Sequence, residues 1–158
     1  MAAEIERKFL VAGTEWRTAS GVRIIQGYLN LDKERTVRVR IDGEQAALTI
    51  KGITVGAARA EFEYKIPLAD AKPLLALCVR PLVEKIRRRI PHAGLVWEVD
   101  EFLGENAGLV IVEVELERED QAYAKPSWVG AEVTDDPRYY NANLVAKPFK
   151  TWSQAGEP

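Results

Sequence analysis

The fold of this chain is decided by one stretch near its N-terminus, Glu4-Ile5-Glu6-Arg7-Lys8-Phe9-Leu10-Val11. Residues two apart in a β-strand point to the same side of the sheet. A strand here places Glu4, Glu6 and Lys8 on one face and alternates them with Ile5. The stretch therefore predicts a strand with one charged face and one apolar face.

Further stretches repeat this period of two, and turn signals such as Asp42-Gly43 separate neighbouring ones. The additional predicted strands are Arg23–Leu31, Arg35–Asp42, Gln45–Lys51, Ala58–Ile66, Leu82–Ile90, Leu95–Phe102 and Leu109–Arg118. Consecutive hairpins with few helices favour an antiparallel sheet closed, or nearly closed, into a barrel. The expected fold is a β-dominated α+β architecture, an eight-stranded antiparallel closed barrel with a few flanking helices.

Three segments interrupt the strands and predict short helices. They are Leu68–Cys78 with Asp70 as N-cap, Glu119–Lys125 ahead of Pro126, and Arg138–Ala146 with Asp136 as N-cap. A chain of 158 residues has the size of one compact domain. We expect that domain over residues 1–150 and a disordered polar tail over 151–158.

Composition excludes several classes of function. The chain has 22 Lys+Arg against 24 Asp+Glu, so no basic field would attract nucleic acid. The single cysteine, Cys78, rules out an internal disulfide and indicates a reducing, cytoplasmic compartment. The single histidine, His92, excludes a histidine-rich zinc site, and no apolar run approaches the ~20 residues of a membrane helix. Carboxylates, lysines and arginines remain to do the chemistry, together with a hard metal.

Charges of one sign gather on the same faces of the predicted strands. The acidic positions are Glu4, Glu6, Glu61, Glu63, Glu98, Asp100, Glu113 and Glu115, and the basic positions are Lys8, Arg38, Arg40, Lys51, Lys85 and Arg87. If the sheet curls, this face is either the solvated outside or the wall of a lumen. Periodicity does not choose between these two arrangements, because a sheet with one wet face alternates in the same way.

A lumen lined by both signs would have a specific chemistry. Mg²⁺ or Mn²⁺ takes carboxylate and phosphate oxygens, whereas converging arginines and lysines match the repeated charges of a condensed phosphate. Together these groups would support in-line displacement at phosphorus by a metal-activated water. Such a mechanism requires no histidine, cysteine or serine.

A series of short motifs follows the N-terminal stretch in order. The motifs are Gln26-Gly27-Tyr28-Leu29, Thr36-Val37-Arg38-Val39-Arg40, Leu48-Thr49-Ile50-Lys51, Glu61-Phe62-Glu63, Val83-Glu84-Lys85-Ile86-Arg87, Glu98-Val99-Asp100, Val112-Glu113-Val114-Glu115 and Tyr139-Tyr140-Asn141-Ala142-Asn143-Leu144. With the E-x-E-x-K pattern of Glu4–Lys8, this set resembles the CYTH superfamily, the triphosphate tunnel metalloenzymes. The resemblance extends to about Pro148 and is closest to the short bacterial branch that hydrolyses inorganic triphosphate.

The resemblance implies roles for these residues. The implied metal ligands are Glu4, Glu6, Glu113 and Glu115. The implied triphosphate-binding residues are Lys8, Arg38, Arg40, Lys51, Lys85 and Arg87, with Tyr28 either adding a hydroxyl or packing at a strand end. Glu61, Glu63, Glu98 and Asp100 match further acidic wall positions. The implied catalytic set is Glu4, Glu6, Lys8, Arg38, Lys85 and Glu115.

The resemblance also implies hydrolysis of tripolyphosphate to pyrophosphate and phosphate with Mg²⁺ or Mn²⁺ as cofactor. Adenylate cyclase, thiamine triphosphatase and nucleoside triphosphatase activities of the same fold stay open, because a fold does not fix a reaction. Two non-catalytic alternatives also stay open, a polyphosphate binder and a plain β-barrel interaction module with its charges outside. The expected partner is a small-molecule triphosphate, with no nucleic acid or membrane, and a homodimer is a further hypothesis.

Overall fold

A computed structural model describes residues 3–152, and its main feature is one antiparallel sheet that closes on itself. The strands are β1 (Ala3–Val11), β2 (Gly21–Asn30), β3 (Arg35–Asp42), β4 (Gln45–Gly52), β5 (Ala58–Ile66), β6 (Val83–His92), β7 (Leu95–Phe102), β8 (Val110–Glu115) and β9 (Val129–Glu132). The barrel runs in the order β5-β4-β3-β2-β6-β7-β8-β1, and β1 pairs with β5 to close it. The predicted eight-stranded closed barrel is confirmed.

Strand β1 closes the barrel because it is shared between three partners. Residues Glu6–Leu10 pair with β8, while residues Ala3–Ile5 pair with the start of β5. C-terminal to the residues that pair with β5, strand β1 also pairs with β9, at Phe9 and Val11. Strand β9 was not among the predicted strands, because it is only four residues long and has no charged–apolar alternation.

The main apolar core lies on the outside of the barrel wall, because the inner face is charged. Phe9, Trp97 and Val112 are buried in one cluster with Trp16 and Trp128, which come from the connecting segments. A second cluster packs the helix α1 (Leu68–Ala76) against strands β2, β3 and β4. These connections shield the apolar face, and the barrel wall is left with a polar interior.

The third apolar cluster covers one end of the barrel. Phe102 and Ile111 share the inner face with Asp100 and Glu113, and both are buried against Leu144. The turns after β2, β4 and β7 lie at this end, because alternate strands of an antiparallel barrel run in the same direction. The C-terminal segment therefore covers this end of the lumen.

The predicted helices are only partly confirmed. Helix α1 begins after Pro67 and ends at Ala76, two residues short of the predicted end, and Asp70 lies inside it. The predicted helix Glu119–Lys125 is wrong, since this segment has no helical residues. Its side chains have outside partners instead: the carboxylate of Glu119 accepts from the backbone N–H of Ala57 at 3.1 Å, and Tyr123 packs on Phe9 and Trp97.

The single helix predicted over Arg138–Ala146 is also wrong. A 3₁₀ turn, Pro137–Tyr139, is separated from the short helix α2 (Asn143–Ala146) by extended backbone at Tyr140. The predicted cap is present, because Asp136 Oδ1 accepts from the Arg138 N–H at 3.1 Å. This break in the helix lets residues 140–142 line the cavity of the barrel.

Of the predicted tail 151–158, the structure describes Thr151 and Trp152, whereas residues 153–158 lie outside the described residues. Trp152 makes edge contacts with Tyr139 and Phe149. No helix within the described residues is long and apolar enough to cross a membrane.

Candidate active site in the barrel lumen

The charged faces of the strands line a cavity of about 970 Å³ inside the barrel. The predicted site residues that line it are Glu4, Glu6, Lys8, Tyr28, Arg38, Arg40, Lys51, Glu61, Glu63, Lys85, Arg87, Glu98, Glu113 and Glu115. The remaining one, Asp100, is fully buried behind Lys85 and Arg87. The structure therefore places the charges in the lumen rather than on the outside.

Opposite signs occupy opposite sides of this lumen. In the closed strand order, β2 lies four strands from β1 in either direction, so β3 and β6 face β8, β1 and β5. The first side carries what we call the cation cluster, Arg38, Arg40, Lys85 and Arg87. The second carries the carboxylate cluster, Glu4, Glu6, Glu61 and Glu115. The carboxylate side also carries Lys8 on β1, which pairs with Glu6 at 3.2 Å, so a ligand would meet mainly carboxylates there and mainly cations opposite.

A chain of buried ion pairs joins the two sides. Glu113 accepts from Lys8 Nζ and, at 3.3 Å, from Arg87 Nη2. Arg87 in turn makes a bidentate pair with Asp100 at 2.7 and 2.8 Å, and Asp100 also pairs with Lys85 at 2.8 Å. Burial alone would raise the pKa of Glu113, but Lys8 and Arg87 outweigh it and hold that pKa well below its usual range. This chain fixes the side chains before any ligand arrives.

Two members of the cation cluster, Arg38 and Arg40, are short of carboxylate partners. Arg38 Nε is buried and has no hydrogen-bond partner among residues 3–152, and Arg38 Nη2 reaches Glu63 only at 3.7 Å. Arg40 Nε donates to the neutral amide oxygen of Gln26 at 2.8 Å. Burial, then Arg38 and Arg87, lowers the pKa of Arg40 to about 9. Arg38 and Arg40 therefore keep donors and charge that an anion in the lumen could use.

Lys85 is the most deeply buried of these cations. Its side chain has 0% exposure, and its Nζ lies between Asp100 Oδ2 at 2.8 Å and Asn141 Oδ1 at 2.9 Å. Burial lowers the pKa of Lys85 to about 7, because the favourable pairing with Asp100 is offset by Arg87 and Arg40. A negatively charged ligand would favour the protonated form of this amine.

The carboxylate cluster shows the complementary excess of negative charge. Glu6 and Glu115 lie directly opposite each other on β1 and β8. Burial, followed by Glu113, raises the pKa of Glu6, and burial, followed by Glu4 and Glu61, raises the pKa of Glu115. Carboxylates that repel one another in this way have the chemistry of a cation site.

Three of the four predicted metal ligands suit that cation site. Glu4, Glu6 and Glu115 belong to the carboxylate cluster, although Glu4 is held by Lys51 at 2.9 Å. Both oxygens of Glu113 are engaged by Lys8 and Arg87. No three His, Cys, Asp or Glu side chains of the described chain already stand in metal-binding geometry.

The remaining acidic wall positions hold the cations rather than one another. Glu98 forms an ion pair with Arg87 Nη1 at 3.3 Å and accepts from Arg89 Nε at 3.1 Å, and Arg89 also pairs with Asp42 near the open end. Glu61 lies 3.6 Å from Lys51, and Glu63 accepts from Thr49 at 3.1 Å. Tyr28 lines the cavity and packs into the cluster at the covered end, so both of its proposed roles fit its position.

The structure adds polar residues that sequence reasoning did not assign to the site. Gln26 lies two residues from Tyr28 and on its face, so face periodicity could have found it. Asn141 follows no strand, and its approach to Lys85 depends on the break between the two C-terminal helical turns. The motif Tyr139–Leu144 contains Asn141 but assigned it no role in the site.

Comparison with known proteins agrees with this architecture. A CYTH domain is matched over residues 2–147. The chain belongs to the CYTH family. This CYTH chain is 48% identical over 156 residues to a protein of Acetivibrio thermocellus named inorganic triphosphatase, covering 98% of the chain and 100% of that protein.

Two further comparisons place the CYTH chain beside proteins of the same name. A Nitrosomonas europaea inorganic triphosphatase is 38% identical over 147 residues, covering 90% of the chain and 96% of the relative. A crystal structure of the inorganic triphosphatase NE1496 superposes with a TM-score of 0.66 and 36% identity, covering 92% of this chain and 95% of that one. The CYTH domain and the tunnel fold are thus shown by both sequence and structure.

Proposed function

We propose that this CYTH protein hydrolyses inorganic triphosphate to pyrophosphate and phosphate, with Mg²⁺ or Mn²⁺ as its cofactor. The main support for the proposal is that the cation cluster and the carboxylate cluster face each other across one lumen, and each contains charges that are incompletely neutralised. Arg38 and Arg40 lack full carboxylate pairing, and Glu6 and Glu115 are crowded by like charge. A metal-bound triphosphate supplies both missing signs. The names of the relatives support the same substrate.

In this proposal the cations bind the phosphate chain. Arg38, Arg40, Lys85 and Arg87 converge from β3 and β6. Ion pairs and amide contacts orient Arg40, Lys85 and Arg87, whereas Arg38 Nε has no hydrogen-bond partner among residues 3–152. Lys8 and Lys51, with the hydroxyl of Tyr28, complete the predicted binding set. Fixed donors around a phosphoryl group stabilise the charge that develops in the transition state without reorganisation.

The metal would be held by Glu4, Glu6 and Glu115, with Glu113 orienting Lys8 beside them. A bound Mg²⁺ or Mn²⁺ neutralises phosphate oxygens and lowers the pKa of a water. Glu61 and Glu63 on β5 are the proposed acceptors that orient the attacking water. The closed wall of the barrel limits the entry of other water.

The direct test is phosphate release from tripolyphosphate, ATP and thiamine triphosphate, measured side by side with Mg²⁺, with Mn²⁺ and with EDTA. We expect tripolyphosphate to be cleaved fastest and EDTA to abolish cleavage. Formation of cyclic AMP from ATP with little cleavage of tripolyphosphate would show a cyclase instead. Tight tripolyphosphate binding without turnover in either metal would show a non-catalytic binder.

The predicted domain of residues 1–150, the cytoplasmic location and the homodimer are retained as proposals. The free and buried Cys78 supports the reducing compartment. The exposed aromatic side chains of Phe62 and Tyr64 on the outer face of β5 support a contact between two copies. Fractionation of the producing cell and a sedimentation measurement test these two points.

A further inference from the structure

Two side-chain amides connect the cation cluster to the C-terminal segment. Gln26 on β2 is fully buried, and Asn141 lines the lumen from outside the barrel strands. Arg40 Nε donates to Gln26 Oε1 at 2.8 Å, and Gln26 Nε2 donates to Asn141 Oδ1 at 3.1 Å. Asn141 Oδ1 also accepts from Lys85 Nζ at 2.9 Å. A continuous run of hydrogen bonds therefore joins Arg40 to Lys85 through two neutral groups.

The orientation of both amides follows from the chemistry of the two cations. Arginine and lysine donate hydrogen bonds and accept none. Arg40 must therefore meet the oxygen of Gln26, which turns the Gln26 nitrogen toward Asn141. Lys85 must likewise meet the oxygen of Asn141, and that oxygen is also what the Gln26 nitrogen requires. The network has one consistent arrangement.

A neutral amide acceptor and a carboxylate have different effects on the charge of these cations. A carboxylate holds a cation in place but cancels its charge and competes with a phosphate for it. An amide oxygen orients the cation and leaves the positive charge available. Among residues 3–152, Arg40 has no carboxylate within ion-pair distance, so the amide of Gln26 is the side chain that orients it.

We propose that Gln26 and Asn141 are positioning residues that hold Arg40 and Lys85 for phosphate oxygens without adding negative charge beside either cation. The inference rests on the proposed function, since it assigns these cations to a phosphate chain. It gives the C-terminal segment a second role besides covering the lumen, because Asn141 and Asp100 both contact the Lys85 amine.

The test compares substitutions that keep or remove the acceptor and that add or omit charge. Asn141→Asp keeps the oxygen that Lys85 contacts but adds a negative charge, and Asn141→Ala removes the acceptor. Asn143→Asp and Asn143→Ala are the matched controls. Asn143 lies in the same segment and lines the same cavity, and among residues 3–152 its side chain makes a single hydrogen bond, to the Pro137 carbonyl at 2.8 Å. Titration calorimetry measures tripolyphosphate binding in EDTA, and steady-state assays with metal measure kcat and KM.

Asn141→Asp is expected to weaken tripolyphosphate binding by about tenfold or more and to raise KM, with an unchanged or higher unfolding temperature. Asn141→Ala is expected to weaken binding by about tenfold, with a lower unfolding temperature. Both variants of Asn143 should stay within about twofold of the parent chain. A residue with a merely structural role would instead tolerate aspartate and lower kcat without raising KM.

Two results would overturn the inference. One is an Asn141→Asp variant that binds tripolyphosphate as tightly as the parent. The other is an Asn143→Asp variant that loses as much affinity as Asn141→Asp, which would reduce the effect to added negative charge. If the parent chain hydrolyses no tripolyphosphate in any metal, the proposed function fails, but calorimetry in EDTA still ranks the variants and judges the positioning role separately.

Discussion

At the scale of single residues, two carboxylates on one strand have opposite environments. Glu113 and Glu115 are two apart on β8 and share the inner face. Glu113 is buried between Lys8 and Arg87, and these cations hold its pKa well below the usual range. The pKa of Glu115 is raised by burial and by its neighbouring carboxylates. The first carboxylate stabilises the barrel, whereas the second is available for a cation.

The pair Glu113→Gln and Glu115→Gln tests this difference within one strand. We expect Glu113→Gln to lower the free energy of unfolding by about 2–4 kcal/mol, because it leaves buried cations without their charged partner. Glu115→Gln should leave stability unchanged or slightly higher and should lose metal-dependent turnover. Urea unfolding at pH 7 in EDTA measures the first effect, and phosphate release measures the second.

The pH dependence of the Glu113→Gln effect follows from the direction in which the pKa of Glu113 is shifted. The pKa of Glu113 is depressed in the folded chain, so its contribution is present above the unfolded pKa and is lost as pH falls through the folded pKa. The stability difference between the parent and Glu113→Gln should therefore shrink in strong acid. Equal stability losses from the two substitutions at pH 7 would contradict the assignment of separate roles.

At the scale of elements, the facing strands β1 and β8 form the proposed cation site. The pKa of Glu6 and of Glu115 lies above the ordinary 4.5, so protons compete with a metal at a higher pH than usual. We expect the rise in unfolding temperature produced by Mg²⁺ or Mn²⁺ to shrink as pH falls from about 7 toward about 5. Thermal scans with and without metal measure it.

The stability of the metal-free chain should increase as pH falls over the same range. A raised carboxyl pKa means that the folded state binds more protons, so this contribution to stability grows as pH falls through the folded pKa. Glu115→Gln serves as the control and should weaken both trends. A metal-induced shift that is the same at pH 5 and pH 7 would remove these carboxylates from the site.

The added strand β9 depends on the smallest side chain at its centre. A Cβ placed on Gly130 would lie 3.1 Å from the Leu10 carbonyl oxygen and 3.2 Å from that of Val11. We expect Gly130→Val to displace β9 from β1 and to cost about 1–3 kcal/mol of unfolding free energy. The neighbouring exposed Ala131→Val should stay within about 0.5 kcal/mol. Chemical denaturation of the two variants tests it, and equal effects would contradict a requirement for close approach.

Sequence periodicity predicts individual strands but not the contacts between distant segments. The alternation of Glu4, Glu6 and Lys8 predicted β1 and its charged face, because period two is a local property of the strand. The placement of that face in a lumen required closure between β1 and β5, which is a contact between distant segments. The pairing of the short strand β9 and the contact of Asn141 with Lys85 depend on tertiary packing, so no local periodicity predicts either one.

At the scale of the whole molecule, the formal charge of −2 conceals two opposed clusters in one lumen. Burial, together with like-charged neighbours, lowers the pKa values of Arg40 and Lys85 and raises those of Glu6 and Glu115, so both clusters contain groups whose charged form is disfavoured. Triphosphate alone relieves the cations but adds negative charge near the carboxylates, and a divalent metal alone does the reverse. Only triphosphate and a divalent metal bound together would neutralise charge in both clusters.

We therefore expect metal and triphosphate to stabilise the barrel synergistically. The rise in unfolding temperature with both should exceed the sum of the separate rises, and at 100 times the dissociation constant the joint stabilisation should be about 3 kcal/mol or more. A non-hydrolysable imido analogue of tripolyphosphate with Mg²⁺ avoids turnover during the scan, and sulfate of equal ionic strength is the control. Additive shifts would mean that the clusters act as independent sites, because a shared ligand couples them through the charges that face each other across the lumen.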